Sequence, residues 1–323
     1  MPFFLLASDP RCEKNESLNF PASNLQAEES DFRNNVSRKK EVQLAADFLG
    51  REAQMTAAGQ QTKVMGILNI TPDSFSDGGR FMEPEATRHQ IERMIAAGVD
   101  VFDVGGESTR PFAEPVSIEE ELDRVLPVIR LIRRLSDLPV SIDTTKAAVA
   151  EAALAAGADV VNDISGLRHD PAMLDVVRGY QGPLIIMHMQ GTPGTMQIDP
   201  YYEDVVAEIN DFFRERLRWL EEHGIAPSRI ILDPGIGFGK TVEHNLAILR
   251  NIPAFKTLGR PILIGHSRKA FIGRILDLEV DRRDCATAML SLHCATSGAD
   301  MVRVHDVELS KQAVRLAHSL RLV

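Results

Sequence analysis

Three segments of the chain repeat one another: "AAGVDVFDVGG" (residues 96–106), "AAGADVVNDIS" (155–165) and "TSGADMVRVHD" (296–306). Each carries a glycine suited to ending a helix (Gly98, Gly157, Gly298), an acid two residues later, and then an apolar strand. Five residues past each glycine a polar side chain interrupts the apolar run: Asp103, Asn162 and Arg303. A repeated unit puts these three at one height, near the C-terminal ends of their strands.

Working outward, the strand candidates are "VMGILN", "VDVFDVG", "LPVSID", "ADVVNDI", "PLIIMHM", "RIILDPG", "PILIGHS" and "ADMVRVHD". Amphipathic segments such as "SIEEELDRVLPVIRLIRRL" and "YYEDVVAEINDFFRERLRWLEEHG" lie between them. Eight alternations predict parallel βαβ units. A length of about 260 residues matches an α/β fold closed as a (β/α)8 TIM barrel over residues 61–323; an open doubly wound sheet is the alternative. Residues 1–60 are polar, charged and weakly periodic, which predicts a largely irregular N-terminal extension. "KEVQLAADFLGREAQ" within it could form one short helix.

The bulk numbers exclude several classes. The chain has 323 residues, 44% hydrophobic and 25% charged, as an ordinary globular protein has. Its net charge of -10 disfavours a nucleic-acid partner. Cys12, Cys285 and Cys294 form no C-x-x-C pair, which suits a reducing cytoplasm. The N-terminal "PFFLLA" is too short for a signal sequence, and no stretch reaches the roughly 20 apolar residues of a membrane span.

In a barrel the C-terminal strand ends build the active site, and here every strand brings polar groups to them. "GILNITPDSFSDGG" (66–79) ends its strand at Asn69 and continues through Asp73 and Asp77 to a glycine hinge, as a closing loop would. The second strand offers Asp103, then Glu107, Thr109 and Arg110. The later strands offer Asp143, Asn162 with Asp163, His188, Asp233, His266 with Ser267, Arg268 and Lys269, and finally Arg303, His305 and Asp306.

"LDPGIGFGKT" is no phosphate-binding P-loop, because Pro234 stands where that motif needs its first glycine. Its G-x-G-x-G spacing also fails the dinucleotide fingerprint. A glycine-rich turn that lets a flat ligand approach the backbone fits better. His188, His266 and His305 suggest a metallohydrolase, but the first strand lacks the His-x-His such barrels carry. A divalent ion that keeps most of its waters, held by Asn69 and a substrate phosphate, fits better. Arg110, Arg268, Lys269, Arg303 and His305 suit a di- or triphosphate. Asp143, Asn162 and Asp233 offer acceptors and an amide to a heterocycle rich in N–H donors.

"GILNITPDSFSDGG", "DVGGESTRP", "SIDTTK", "NDISG", "LDPGIGFGK", "GHSRKAFIG" and "VRVHD" occur in this order over about residues 63–310. In these seven motifs the chain resembles the dihydropteroate synthases of the bacterial folate pathway. The resemblance implies a cytoplasmic homodimer of pterin-binding barrels that use Mg2+. It implies that Asp143, Asn162, Asp233 and Lys269 grip the pterin, and counts Met187 and Gly237 among the substrate-binding residues. It assigns Asn69, Arg303 and His305 to Mg2+ and the diphosphate, and adds Arg268 to the substrate-binding set. Asp77 and Arg110 would come from two closing loops, and Thr109, Pro111, Phe238 and Ser267 would line the 4-aminobenzoate pocket. Among these, Asp77, Arg110, Asp143, Asp233 and Lys269 would be catalytic. Phe112 and Ala270 depart from the family's usual glycine and serine near the expected aminobenzoate and sulfonamide site. A pterin-binding methyltransferase and a non-catalytic paralogue are the alternatives.

Overall fold

The computed structural model describes residues 61–70, 84–108 and 114–321. The expected N-terminal extension and its short helix lie outside these residues.

Eight parallel strands form one sheet: β1 (Lys63–Asn69), β2 (Val101–Gly105), β3 (Val140–Asp143), β4 (Val160–Asp163), β5 (Leu184–Met187), β6 (Ile230–Asp233), β7 (Leu263–Ile264) and β8 (Met301–Val304). Between and after them run α1 (Pro84–Ala96), α2 (Ile118–Leu135), α3 (Ala147–Ala155), α4 (Met173–Gly179), α5 (Val205–Glu222), α6 (Val242–Arg250), α7 (Ile252–Lys256), α8 (Ala270–Leu276), α9 (Asp284–Thr296) and α10 (Val307–Arg321). The strand order runs from β6 down to β1 and on to β8 and β7. An open doubly wound sheet would reverse its order about a central strand. Here a parallel bridge from Leu232 to Ile262 brings β6 beside β7 and nearly closes the cylinder. A hydrogen bond of 2.9 Å from Leu232 N–H to the Pro261 carbonyl supports it.

The repeated glycines end helices as the sequence predicts: Gly98, Gly157 and Gly298 have φ of 81°, 113° and 94°, a region costly for residues with a Cβ. The acid two residues on has a job at the opposite end of the strands. Asp100 accepts from Val64 N–H at 2.7 Å and from the Lys311 ammonium at 2.5 Å. Asp159 accepts from Val140 N–H at 2.9 Å and pairs with Arg133. Asp300 accepts from Ile262 N–H at 2.7 Å and pairs with Lys256 at 2.5 Å. Each acid thus satisfies an N–H at the start of a neighbouring strand and fixes register at the barrel bottom.

Strand alternation divides the core in two. One set of side chains packs outward against the helices, including Val64, Leu68, Phe102, Val104, Ile142, Val161, Leu184, Ile186, Leu232 and Ile264. The inward set begins as an apolar layer of Met65, Val101, Val160, Ile185, Ile231, Leu263 and Met301, each at most 3% exposed. Two residues further along most of the same strands come Ile67, Asp103, Asn162, Met187, Asp233 and Arg303. The floor of the site is this second inward layer.

Candidate active site

Arg303 is the centre of the floor. Its Nε donates to Asp103 at 2.5 Å, its Nη2 donates to Asp143 at 2.5 Å, and Asn162 Nδ2 lies 3.4 Å from Asp103. The three residues singled out by the repeat therefore meet in one buried network, from strands up to 200 residues apart. Their common height follows from register, with Asp103 two residues beyond Val101, Asn162 beyond Val160 and Arg303 beyond Met301.

Burial, modified by neighbouring charge, explains the titration of this floor. Asp103, Asp143 and Asp233 face Arg303 and Lys269, and Lys240 also acts on Asp233. Burial raises the Asp143 carboxyl to about 7; Arg303 opposes the shift, while Asp103, Glu121 and Asp163 add to it. Burial likewise raises Asp233 to about 6, against its bond from Gly235 N–H and the pull of Lys269 and Arg303. Burial lowers Lys269 to about 8, helped by Arg303 and opposed by Asp233 and Asp143. For Arg303 burial pulls the pKa down, but Asp103 and Asp143 outweigh it and the guanidinium stays charged.

Beside the floor stands an apolar wall. Met187 and Phe238 pack with Ile164, Met189 and Met196. The Lys269 ammonium sits 4.0 Å from the centre of the Phe238 ring, a cation–π contact. Its stem crosses Gly237, where an added Cβ would stand 2.9 Å from Lys269 Cδ. Ser267 Oγ accepts from His305 N–H at 3.1 Å and lies 2.9 Å from His305 Nδ1. The hydroxyl can then donate to Nδ1, which puts a neutral ring's proton on Nε2. A groove of about 1230 Å3 opens over these groups, lined by Asn69, Gly237, Phe238, Ser267, Lys269, Arg303 and His305 among others.

Several sequence expectations change. Arg303 was expected to hold a diphosphate, yet two of its three guanidinium nitrogens are committed to floor carboxylates. Arg268 was expected at a cationic mouth. Its Nε and Nη2 instead bond both oxygens of Asp284 on α9, at 2.6 and 2.7 Å. A left-handed backbone at Arg268, φ 55°, accompanies this arrangement. The mouth is therefore less basic than the motif "SRK" suggests. His266 is fully buried and bonds Thr287 and Ser291 on α9, and His188 is buried against Lys240. Among the described residues no three His, Cys, Asp or Glu converge as a metal cage. Asn69, Asp143, Asn162, Met187, Asp233, Gly237, Phe238, Ser267, Lys269, Arg303 and His305 all belong to the C-terminal end of the barrel. Asp77, Thr109, Arg110, Pro111 and Phe112 lie outside the described residues.

Two residues carry weak signals in the sequence. Register singles out Asp103 without giving it a role, yet it is fully buried and holds Arg303. Lys240 stands out only as part of a failed P-loop.

A parallel barrel whose C-terminal end joins buried acids to an aromatic wall and a lysine is built for a flat, donor-rich ring. The chain belongs to the pterin binding enzyme family, which matches residues 65–305, and within it to the dihydropteroate synthases, transferases of folate biosynthesis. It is 48% identical to the dihydropteroate synthase of Synechocystis over 81% of this chain and 91% of that protein. Against the Escherichia coli K12 enzyme it is 43% identical, over 79% and 90%. The Yersinia pestis synthase, solved in complex with a sulfonamide drug, superposes with a TM-score of 0.79 at 39% identity, covering 84% of this chain and 98% of that one. The Xanthomonas albilineans synthase in complex with 7,8-dihydropteroate gives 0.74 at 39% identity, over 83% and 96%.

Proposed function

We propose that this barrel condenses 6-hydroxymethyl-7,8-dihydropterin diphosphate with 4-aminobenzoate, giving 7,8-dihydropteroate and pyrophosphate. The observation that carries the reading is the floor: Asp103, Asp143, Asn162 and Arg303 in one hydrogen-bonded network, with Asp233, Lys269, Phe238 and Met187 at the same end of the barrel. Ionised Asp143 and Asp233 would accept from the ring's N–H donors, and Asn162 would supply an amide. The flat ring would lie along Phe238 and Met187 under the Lys269 stem, with its phosphates towards Ser267 and His305.

In the reaction the pterin methylene–oxygen bond breaks and its electron pair leaves with pyrophosphate. The arylamine nitrogen bonds to that carbon and then loses a proton. The ionised carboxylates of the floor would stabilise the cationic character that develops on the pterin. An arylamine is neutral near pH 7, so no strong general base is needed. Orientation of two substrates in one groove supplies much of the rest.

Mg2+ belongs to the same reading. Asn69 ends β1 beside Gly105, whose missing Cβ leaves space 3.5 Å from the amide oxygen. One neutral oxygen donor, with no protein cage among the described residues, suits Mg2+, which keeps its waters and shares substrate phosphates. When bound, it would neutralise charge on the departing pyrophosphate. Asp77 and Arg110, from the two adjoining loops, would complete the phosphate site, and Thr109 and Pro111 the aminobenzoate pocket.

A homodimer is also proposed, through α9 and α10. Met289, Leu316 and Leu320 on these packed helices are 68, 53 and 60% exposed. A cytoplasmic location is supported by Cys285 and Cys294, which are free thiols. No helix among the described residues is long and apolar enough to cross a membrane.

The deciding assay is pyrophosphate release from the pterin diphosphate, with and without 4-aminobenzoate and Mg2+. Release that depends on both supports the synthase. Turnover of a methylated pterin without pyrophosphate release would favour the methyltransferase alternative.

A further inference from the structure

The turn after β6 carries Asp233, Gly237 and Phe238, yet its glycines lend it little stiffness. Gly235, Gly237 and Gly239 sit at φ of 70°, 83° and 62°, and glycine favours no single conformation. Two bonds close it from within, Gly235 N–H to the Asp233 carboxylate at 2.8 Å and Phe238 N–H to the Gly235 carbonyl at 3.1 Å, and side chains hold its later carbonyls. Gln197 donates to the Gly237 carbonyl at 2.8 Å, Lys240 to the Phe238 carbonyl at 2.9 Å, and the Tyr202 hydroxyl to the Gly239 carbonyl at 3.0 Å. Three successive carbonyls are thus held by three side chains.

Lys240 does the most. It is 3% exposed, and besides Phe238 it reaches His188 Nδ1 at 3.1 Å and the His188 carbonyl at 3.3 Å. An ammonium has three donors, and here three acceptors meet it. His188 is suited to accept: burial, then the charges of Lys240 and Arg168, lower its pKa to about 2 and keep it neutral. His188 is itself fixed, its N–H donating to the Asp233 carbonyl at 2.9 Å and its ring packing edge-on against Phe212. The turn presses so closely on β5 that a Cβ at Gly235 would lie 2.0 Å from the His188 carbonyl oxygen.

We infer that Lys240 is a positioning residue for the condensation: its ammonium ties the turn bearing Asp233, Gly237 and Phe238 to the end of β5 and so fixes the wall against which the two substrates meet. The inference rests on the synthase reading and deepens it. An ammonium is costly to bury, and an apolar side chain of similar volume would serve packing alone as well or better. The cost shows in Lys240 itself: burial lowers its pKa to about 7, offset by Asp233 and reinforced by Lys269. A charge kept in such a place points to function rather than to packing.

The test is Lys240→Met in the full chain, with KM for each substrate, kcat and Tm measured. The expected result is an unchanged or higher Tm together with a five- to tenfold rise in KM for 4-aminobenzoate, because Phe238 loses its fixed orientation. His188→Leu should have a smaller effect of the same kind, and the double variant should be no worse than Lys240→Met. If Lys240→Met does not fold, Lys240→Gln carries the test: it keeps N–H donors without the charge and should recover part of the KM. A Lys240→Met or Lys240→Gln enzyme with wild-type KM and kcat overturns the proposal, as does a lowered Tm with both constants intact. Wild-type protein that releases no pyrophosphate overturns the synthase reading itself, and the proposal with it.

Discussion

Two layers of the barrel interior stand two residues apart on the same strands and obey opposite rules. The lower one is Met65, Val101, Val160, Ile185, Ile231, Leu263 and Met301, dry and nearly inaccessible. The upper one holds buried Asp103, Asn162 and Asp233 with the half-buried Arg303, and is polar and mostly charged. About 6.6 Å of strand separates them. The lower layer gains by hydrophobic transfer and tolerates no charge. The upper layer is kept folded by pairing, and the pairing is uneven: Arg303 holds Asp103 and Asp143, while the Asp233 carboxylate accepts from Gly235 N–H. That unevenness leaves acceptors for a ligand, which an apolar plug could not offer. Stability and function are thus stacked along one axis.

The harshest way to break the contrast is to move the upper layer's chemistry down. Ile231→Asp would put an unpaired carboxylate among apolar side chains, and a loss of more than about 4 kcal/mol is expected. Soluble expression and circular dichroism would report it; a folded variant near wild-type stability would erase the distinction between layers. Next comes Asp103→Leu, which strands the Arg303 guanidinium. Denaturant unfolding should register a loss of about 3–5 kcal/mol, largely restored in the Asp103→Leu/Arg303→Met double variant. If both single and double variants match wild type, the pair is not holding the floor together.

Asp143→Asn probes function within the upper layer. The side chain keeps its size and loses its charge, so stability should change little. Pterin affinity and kcat/KM should fall about a hundredfold, near 2.7 kcal/mol. Wild-type affinity and turnover in this variant would remove Asp143 from the anchor.

The smallest effect is on pH. Asp143 and Asp233 have folded values near 7 and 6, above the usual 3.8. Between about 4 and 7 the folded protein therefore binds more protons than the unfolded chain, so unliganded stability declines as pH rises through that window. Ligand binding runs the other way: an N–H-rich ring needs the ionised carboxylates, so its affinity should weaken as pH falls below about 7. Calorimetry against pH checks both signs, and affinity rising in acid would contradict the acceptor role.

Much of this was legible before folding. The glycine, acid and strand repeat gave the barrel units, the helix caps and the height of Asp103, Asn162 and Arg303, because all follow from local periodicity. Partner choice was not legible. Arg268 reads as a phosphate ligand until α9 brings Asp284 against it, and Arg303 reads as a mouth residue until Asp103 and Asp143 claim two of its nitrogens. Lys240 looked like the remnant of an unrelated motif, since nothing in "GFGKT" reveals that its ammonium turns back to His188, 52 residues earlier.

Alone, the sequence determined the parallel barrel, the family and the polar ends of its strands, since strand alternation and motif order are properties of neighbours along the chain. Tertiary structure decided which charges neutralise one another, which histidines are buried supports, and how a flexible glycine turn is made stiff. Those outcomes depend on distances between groups up to 200 residues apart, and such distances exist only once the cylinder has formed.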